Sequence, residues 1–483
     1  MKNRPVVVGI GSIQQKGAFN ELDESLILME LATKKALHDT TNTKIKNYIE
    51  EISIPKGYWR YRDPGKWIAE NNQFNKVTTT ISKIGILQQH LINRICKKIL
   101  NGEIKAGLVL GGEARYKILR SQIENKDFDE TELTINPNNY IKSDADLNLD
   151  IEKKELGLMA VGYYAILESV LRAESSNAFD QHHLIISKMY EQFSKIAQKN
   201  NDAWTNKSFT YEDILNHSEK NPMQAFPYNK LHCTSWNVNQ AGAIVICSED
   251  IANKLDIPQT KRVYPLASSE NNYMIATLQR PNLVNPIGMK LAAEYILNLS
   301  KDNDIKHNLY DLYSCFPVAV QMFAKSLNIQ NRSNYSLTGS MAYAGGPLNS
   351  YVIHSTIKMI ENIRNYPDKV GIVTGVSGMM TKQSYALWAK EPKINFSHRD
   401  FTEEASHLEK PLEISSETEG NGKIIGYTII KNKKNSFKAI MFVQTKDFKR
   451  KLITSNNQSI INLMEKNEWV GKKILFKENQ LVY

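Results

Sequence analysis

Residues 85–114 read GILQQHLINRICKKILNGEIKAGLVLGGEA, and residues 349–378 read NSYVIHSTIKMIENIRNYPDKVGIVTGVSG. The two stretches align without a gap and share 7 of 30 residues: His90/His354, Ile99/Ile363, Asn101/Asn365, Lys105/Lys369, Gly107/Gly371, Val109/Val373 and Gly111/Gly375. Each reads as an amphipathic helix, a short polar turn, a buried apolar strand and then glycines. A duplication of this kind predicts two similar halves. The helix starts near Ser82 and Gly346 become pseudo-symmetric partners, and a site is expected between them.

The rest of the chain fits around this repeat. Strand patterns at 6–10, 51–54 and 106–110 alternate with helical patterns at 24–37 and 84–100, which predicts a doubly wound α/β sheet. Residues 58–67 (YWRYRDPGKW) form an aromatic loop with a Pro-Gly turn. Residues 119–240 are more polar, with helical patterns at 155–173 and 182–199, and read as an insertion that covers a site. A strand at 243–247 closes the first half, 1–260. The second half, 261–390, carries a strand at 263–268, a helix at 286–297, a strand at 311–315, a helix at 318–327 and a glycine-rich loop, 338–347, before the repeated unit. Residues 391–483 change character. Strand patterns at 423–430, 437–445, 450–453 and 473–476, with a helix at 460–465, predict a small β-barrel.

Composition narrows the function classes. At 483 residues the chain can hold two or three domains. No apolar run reaches the length of a membrane span, and MKNRPVVVGIGS enters a strand pattern directly, so a cytoplasmic address is expected. Cys96, Cys233, Cys247 and Cys315 form no C-x-x-C pair, so no metal site is expected and they read as buried thiols. The net charge is +10, but the lysines are dispersed. That argues against nucleic acid and suits an acidic ligand such as coenzyme phosphates. The densest basic run, 431–434 (KNKK), reads as a hairpin turn. Gly9-Ile10-Gly11 lacks the third glycine of a dinucleotide fingerprint, Gln14 standing in its place.

Taken with the repeat, the loop SLTGSMAYAGGPLNSYVIHS (336–355), the strand DLYSCFPVAV (311–320) and the segment PYNKLHCTSWNVNQAGAIVICS (227–248), the chain resembles the thiolase superfamily. Within it, the chain is most similar to the type 1 thiolase-like proteins, which lie near the sterol carrier protein thiolases. The resemblance implies two βαβαβαββ halves stacked in five layers, α-β-α-β-α, and an extra C-terminal β-barrel. It also implies acyl-coenzyme A chemistry of the acetyl-CoA acetyltransferase kind, with a coenzyme A thioester as ligand and no tightly bound cofactor.

That chemistry needs a cysteine thiolate to take the acyl group, a histidine to activate it, a second cysteine to move the α-proton and donors for the enolate oxygen. Each matching position is altered here. The nucleophile position holds Ser82, or Gly85 in the alternative register. Gly346 replaces the histidine of a Gly-His-Pro loop, Tyr313 replaces the oxyanion-hole Asn or His, and the second cysteine falls near Thr374. Ser82, Tyr313 and Cys315 are therefore the candidate catalytic residues. Gly85, Gly339, Gly345, Gly346 and Ser377 are the candidates for contact with substrate. Ser82 also reads as a helix N-cap, Cys315 as a buried thiol, and His90 and His354 as structural. His232 and Cys233, adjacent on an extended segment, point to opposite faces and make no dyad. Thiolysis and Claisen condensation are not expected. Binding of an acyl thioester, with acyl transfer as a further activity, is the first reading. A partner subunit for another thiolase-like chain in lipid metabolism is the second.

Overall fold

The computed structural model describes residues 3–143, 146–175, 178–431 and 436–482. Apart from Lys431, the 431–434 turn lies outside the described residues. Three sheets organise the described residues.

The first sheet runs Pro5–Gln14, Asn239–Ser248, Ala106–Ala114, Ile49–Pro55, Thr78–Ser82, Asn139–Ile141. The second runs Leu309–Asp311, Val370–Ser377, Lys382–Ala389, Tyr264–Asn271, Ser397–Asp400. The repeated helices, Gln88–Leu100 and Tyr351–Asn365, both lie between the two sheets and touch strands of each. The helix Ser25–Asp39 packs on the first sheet and Ile287–Asp302 on the second.

The repeat recurs in three dimensions. Ala106–Ala114 and Val370–Ser377 begin at equivalent positions of the two copies. Each copy brings its helix close to its strand over a glycine. A Cβ on Gly107 would lie 2.7 Å from Ile95 Cδ1, and one on Gly371 would overlap Met359 Sδ. Ile95 and Met359 are themselves equivalent positions. Gly111 faces Ser350 and Ile353 of the central layer, whereas the next residue, Gly112, faces Met29 of the Ser25–Asp39 helix. Strand alternation thus lets helices approach both faces of one strand.

Some local readings change. The first repeated helix begins at Gln88, not near 84, because Gly85 takes a left-handed φ of +108° within the turn that precedes it. The helical pattern at 155–173 is two helices, Asp150–Leu156 and Val161–Glu174, separated at Gly157. The strand expected at 311–315 ends at Asp311. There the buried carboxylate of Asp311 accepts hydrogen bonds from Ser336 Oγ (2.8 Å), Leu337 N (2.7 Å) and Ser355 Oγ, so the chain is pinned to the glycine-rich loop and leaves the ladder.

The third sheet closes on itself. Phe437–Thr445, Arg450–Ser455, Gln480–Val482, Lys473–Lys477 and Glu419–Lys431 pair in that order, and Glu419–Lys431 pairs back to Phe437–Thr445. Two short strands of the insertion, Met223–Ala225 and Tyr228–Asn229, extend it. The insertion and this barrel-like sheet are held by a buried clamp. Arg172, 2% exposed, donates from Nε and Nη2 to the carboxylate of Glu468 at 2.8 and 3.1 Å and from Nη2 to Tyr427 Oη at 3.0 Å. Among the described residues no single helix is long and apolar enough to cross a membrane.

Gly371→Val forces a side chain into Met359. It is expected to lower stability by about 1–3 kcal/mol, measured as a shift of the urea unfolding midpoint at unchanged slope.

Candidate functional site

Apart from the half-buried Ser377, the residues singled out from the sequence are buried, and several of them abut other protein atoms. Ser82 closes the Thr78–Ser82 strand, is fully buried, and its Oγ has no hydrogen-bond partner. It is not a helix N-cap, because the cap of the following helix is Leu87 and five residues of turn intervene. The Gly85 carbonyl accepts from Lys382 Nζ at 2.8 Å, and Lys382 is only 2% exposed. Lys382 is the ladder partner of Ser377, so Gly85 and Ser377 share one neighbourhood.

Tyr313 and Cys315 follow the strand that ends at Asp311, and each is 7% exposed. Tyr313 N donates to Thr374 Oγ1 at 2.8 Å, which joins the positions matching the oxyanion donor and the second cysteine. The Tyr313 ring stands edge-on to Tyr351, with centroids 5.6 Å apart. Burial pushes the Cys315 thiol up to about 12, so the thiolate needed by a nucleophile is strongly disfavoured. Phe316 stacks with Tyr228 and lies tilted against Tyr164, at centroid distances of 5.7 and 4.7 Å, completing an aromatic wall.

The glycines expected to meet substrate meet the insertion. At Gly346 a Cβ would overlap Thr234 Cγ2, and the Gly346 N–H donates to Ser235 O at 2.9 Å. Thr234 Oγ1 also donates to the Cys315 carbonyl at 2.9 Å. One threonine therefore occupies the place into which a side chain at Gly346 would start and ties down the backbone of Cys315. At Gly345 (φ +100°) a Cβ would overlap Gln240, whose Nε2 donates to Ala344 O at 2.9 Å. At Gly339 (φ +98°) it would come within 2.5 Å of Ala197 N.

The histidines differ sharply from one another. His90 Nδ1 lies 2.7 Å from Glu270 Oε1, across the two halves, and Asn93 Nδ2 donates to Glu270 Oε2 at 3.1 Å. Burial opposes charge on His90, but the hydrogen bond and charge of Glu270 outweigh it and hold His90 above its ordinary value. Its repeat partner His354 is half-buried, with no acid bonded to its ring among the described residues, and desolvation lowers it to about 4. His232 Nδ1 accepts from Asn229 N at 3.3 Å, so Nε2 carries the proton toward Ser187 Oγ, 3.2 Å away. His232 cannot act as a base toward Ser187 in that tautomer. Cys233 Sγ turns instead to Asn229 O at 3.4 Å.

A polar network in the insertion was not singled out from the sequence. Glu168, fully buried, accepts from His182 Nε2 (2.6 Å), Gln321 Nε2 (2.7 Å) and Tyr228 Oη (2.5 Å). Burial alone would raise its carboxyl, but His182, Tyr228 and Gln321 together outweigh burial and hold it below its ordinary value. Its only trace in the sequence is a charged pair, Glu168 and Arg172, four residues apart within an apolar helix.

The stacked halves, the central helix pair and the glycine-rich loop at their junction define the thiolase fold. Over 100% of its length the chain is similar to a monomeric SCP2-thiolase-like protein type 1 from Mycobacterium smegmatis, with 99% of that chain covered, a TM-score of 0.82 and 21% identity. An acetyl-CoA acetyltransferase from Syntrophomonas wolfei matches 81% of the chain, all of its own length, at a TM-score of 0.55 and 14% identity. An aldolase described as Ltp2-ChsH2(DUF35) matches 80% of the chain and 98% of its own, at a TM-score of 0.59 and 14% identity. No protein-family model matches the sequence, and no curated protein is significantly similar to it.

Two measurements test these contacts. Gly346→Ala should cost about 1–3 kcal/mol by overpacking. Thr234→Ser, which removes only the obstructing methyl, should recover at least half of that in the double variant, as read by urea unfolding. Strictly additive costs would show that Thr234 does not occupy the position. The His90–Glu270 pair should add stability at about pH 6 and lose it as the pH rises through the raised His90 value, since a raised pKa in the folded state stabilises only while the group is protonated. The stability gap between wild type and His90→Gln should therefore shrink as the pH rises from about 6 through the raised His90 value.

Proposed function

We propose that the chain uses the thiolase architecture to bind an acyl-coenzyme A or related thioester, and that it performs neither thiolysis nor Claisen condensation. One observation carries the second part. The position matched to the activating histidine is a glycine whose side-chain space is taken by Thr234, and Cys315, whose carbonyl Thr234 holds, is buried with its thiol pushed up to about 12. Without a thiolate and a base beside it, no acyl-enzyme forms by the usual route. The first part rests on the likeness to an acetyl-CoA acetyltransferase and on the net charge of +10, which suits a phosphorylated coenzyme. A cytoplasmic address goes with this reading.

A second reading is a partner subunit in lipid metabolism. It is favoured by the filled interior and by the likeness to an aldolase whose description names two components. In this reading the insertion and the C-terminal sheet present the docking face.

Purified protein given acetyl-CoA, or acetoacetyl-CoA with free coenzyme A, should show no turnover above background. Formation of acetoacetyl-CoA would overturn the non-thiolase reading. Calorimetric titration with acetyl-CoA should show saturable binding. A flat titration would remove the ligand reading and leave the partner reading.

A further inference from the structure

A cavity of about 760 Å³ lies at the seam where the C-terminal sheet meets the end of the Val161–Glu174 helix and the 281–283 turn. This volume falls within the usual range for small-molecule sites. Its charge is one-sided. Lys423, Lys446, Arg450 and Lys473 line it, and Glu174 is the only acid among the lining residues. Glu174 is already engaged by Lys325 Nζ at 3.2 Å. Among the described residues, none of the four cations has an ion-pair partner.

Arg450 makes the site more than a solvated basic patch. It is 4% exposed. Its Nη1 donates to Gln444 Oε1 at 2.7 Å, and its Nη2 donates to the carbonyls of Arg280 and Pro281, each at 3.2 Å. Its Nε has no hydrogen-bond partner among the described residues. A guanidinium out of water, held by neutral groups alone and with a free N–H, is costly unless an anion completes it. Burial accordingly lowers Arg450 to about 10, with no acid to oppose the shift. Beside the cations, Val170, Ile424, Ile425 and Val470 supply an apolar wall for an organic body.

We propose that this seam is a binding site for a small phosphate ester, with the phosphate held between Arg450 and the lysines of the rim and the organic part against the apolar wall. The site is separate from the thiolase-type centre. It exists only because the C-terminal sheet docks on the body, which gives that sheet a role in ligand recognition.

The test is calorimetry on the full chain at low salt with inorganic pyrophosphate and with ADP, which carries a diphosphate on an organic body. Pyrophosphate should bind saturably and ADP at least as tightly. Lys423→Glu and Lys473→Glu, both on the exposed rim, should each weaken binding by about 10-fold or more without changing thermal stability. Lys44→Glu, a remote exposed lysine with the same charge change, should leave affinity within about twofold. Arg450→Gln should abolish binding where it folds. Absence of saturable binding, rim variants that bind like wild type, or an equal loss in Lys44→Glu would each overturn the proposal. ADP binding weaker than pyrophosphate would overturn the part assigned to the apolar wall.

Discussion

The structure depends on how closely the two central helices lie against their strands. Gly107 meets Ile95 and Gly371 meets Met359 at distances that leave no room for a Cβ. This contact, made twice by a duplicated unit, lets one pair of helices serve both sheets. With larger residues at those positions the helices would stand off, and the two halves would lose their common core. The junction is further tied by polar groups. Gln88 Oε1 accepts from Val352 N at 2.7 Å, and His90 reaches Glu270 in the other half.

At that junction the insertion has become part of the interior. Thr234 fills the space beside Gly346 and holds the Cys315 carbonyl, while Gln240 and Ala197 crowd Gly345 and Gly339. The same insertion carries the Glu168–His182–Tyr228 network and the Arg172 clamp to Glu468. A buried charge network tolerates little relaxation, because removing one partner strands the other. The fold is thus kept while the space beside Gly339, Gly345 and Gly346 is taken by Ala197, Gln240 and Thr234.

Much of this architecture was legible in the sequence, because a gapless repeat and alternating apolar runs report directly on local geometry. Phe437–Thr445 was bounded to the residue, and most other core elements to within a few residues at each end. The strands Thr78–Ser82 and Lys382–Ala389 were not read from the sequence, and neither were Ser397–Asp400 and Met223–Ala225, which at three or four residues carry little periodicity and exist through their neighbours. The strand expected over 311–315 stops at Asp311 because a buried carboxylate captured the backbone of a loop more than twenty residues away. At the site, the replaced residues could be read one by one. What replaced them could not, because Thr234, Gln240 and Ala197 reach the glycines only through tertiary packing. The basic seam was equally hidden, its four cations being separated by up to fifty residues of chain.

The central claim is that the thiolase-type centre is closed and its thiol inert. It is tested most directly by treating the folded protein with iodoacetamide at neutral pH and locating the modified cysteines by mass spectrometry. Cys315 should remain unmodified in the folded protein and react once urea unfolds it. Alkylation of Cys315 in the folded protein, at the rate of an exposed thiol or faster, would contradict the account.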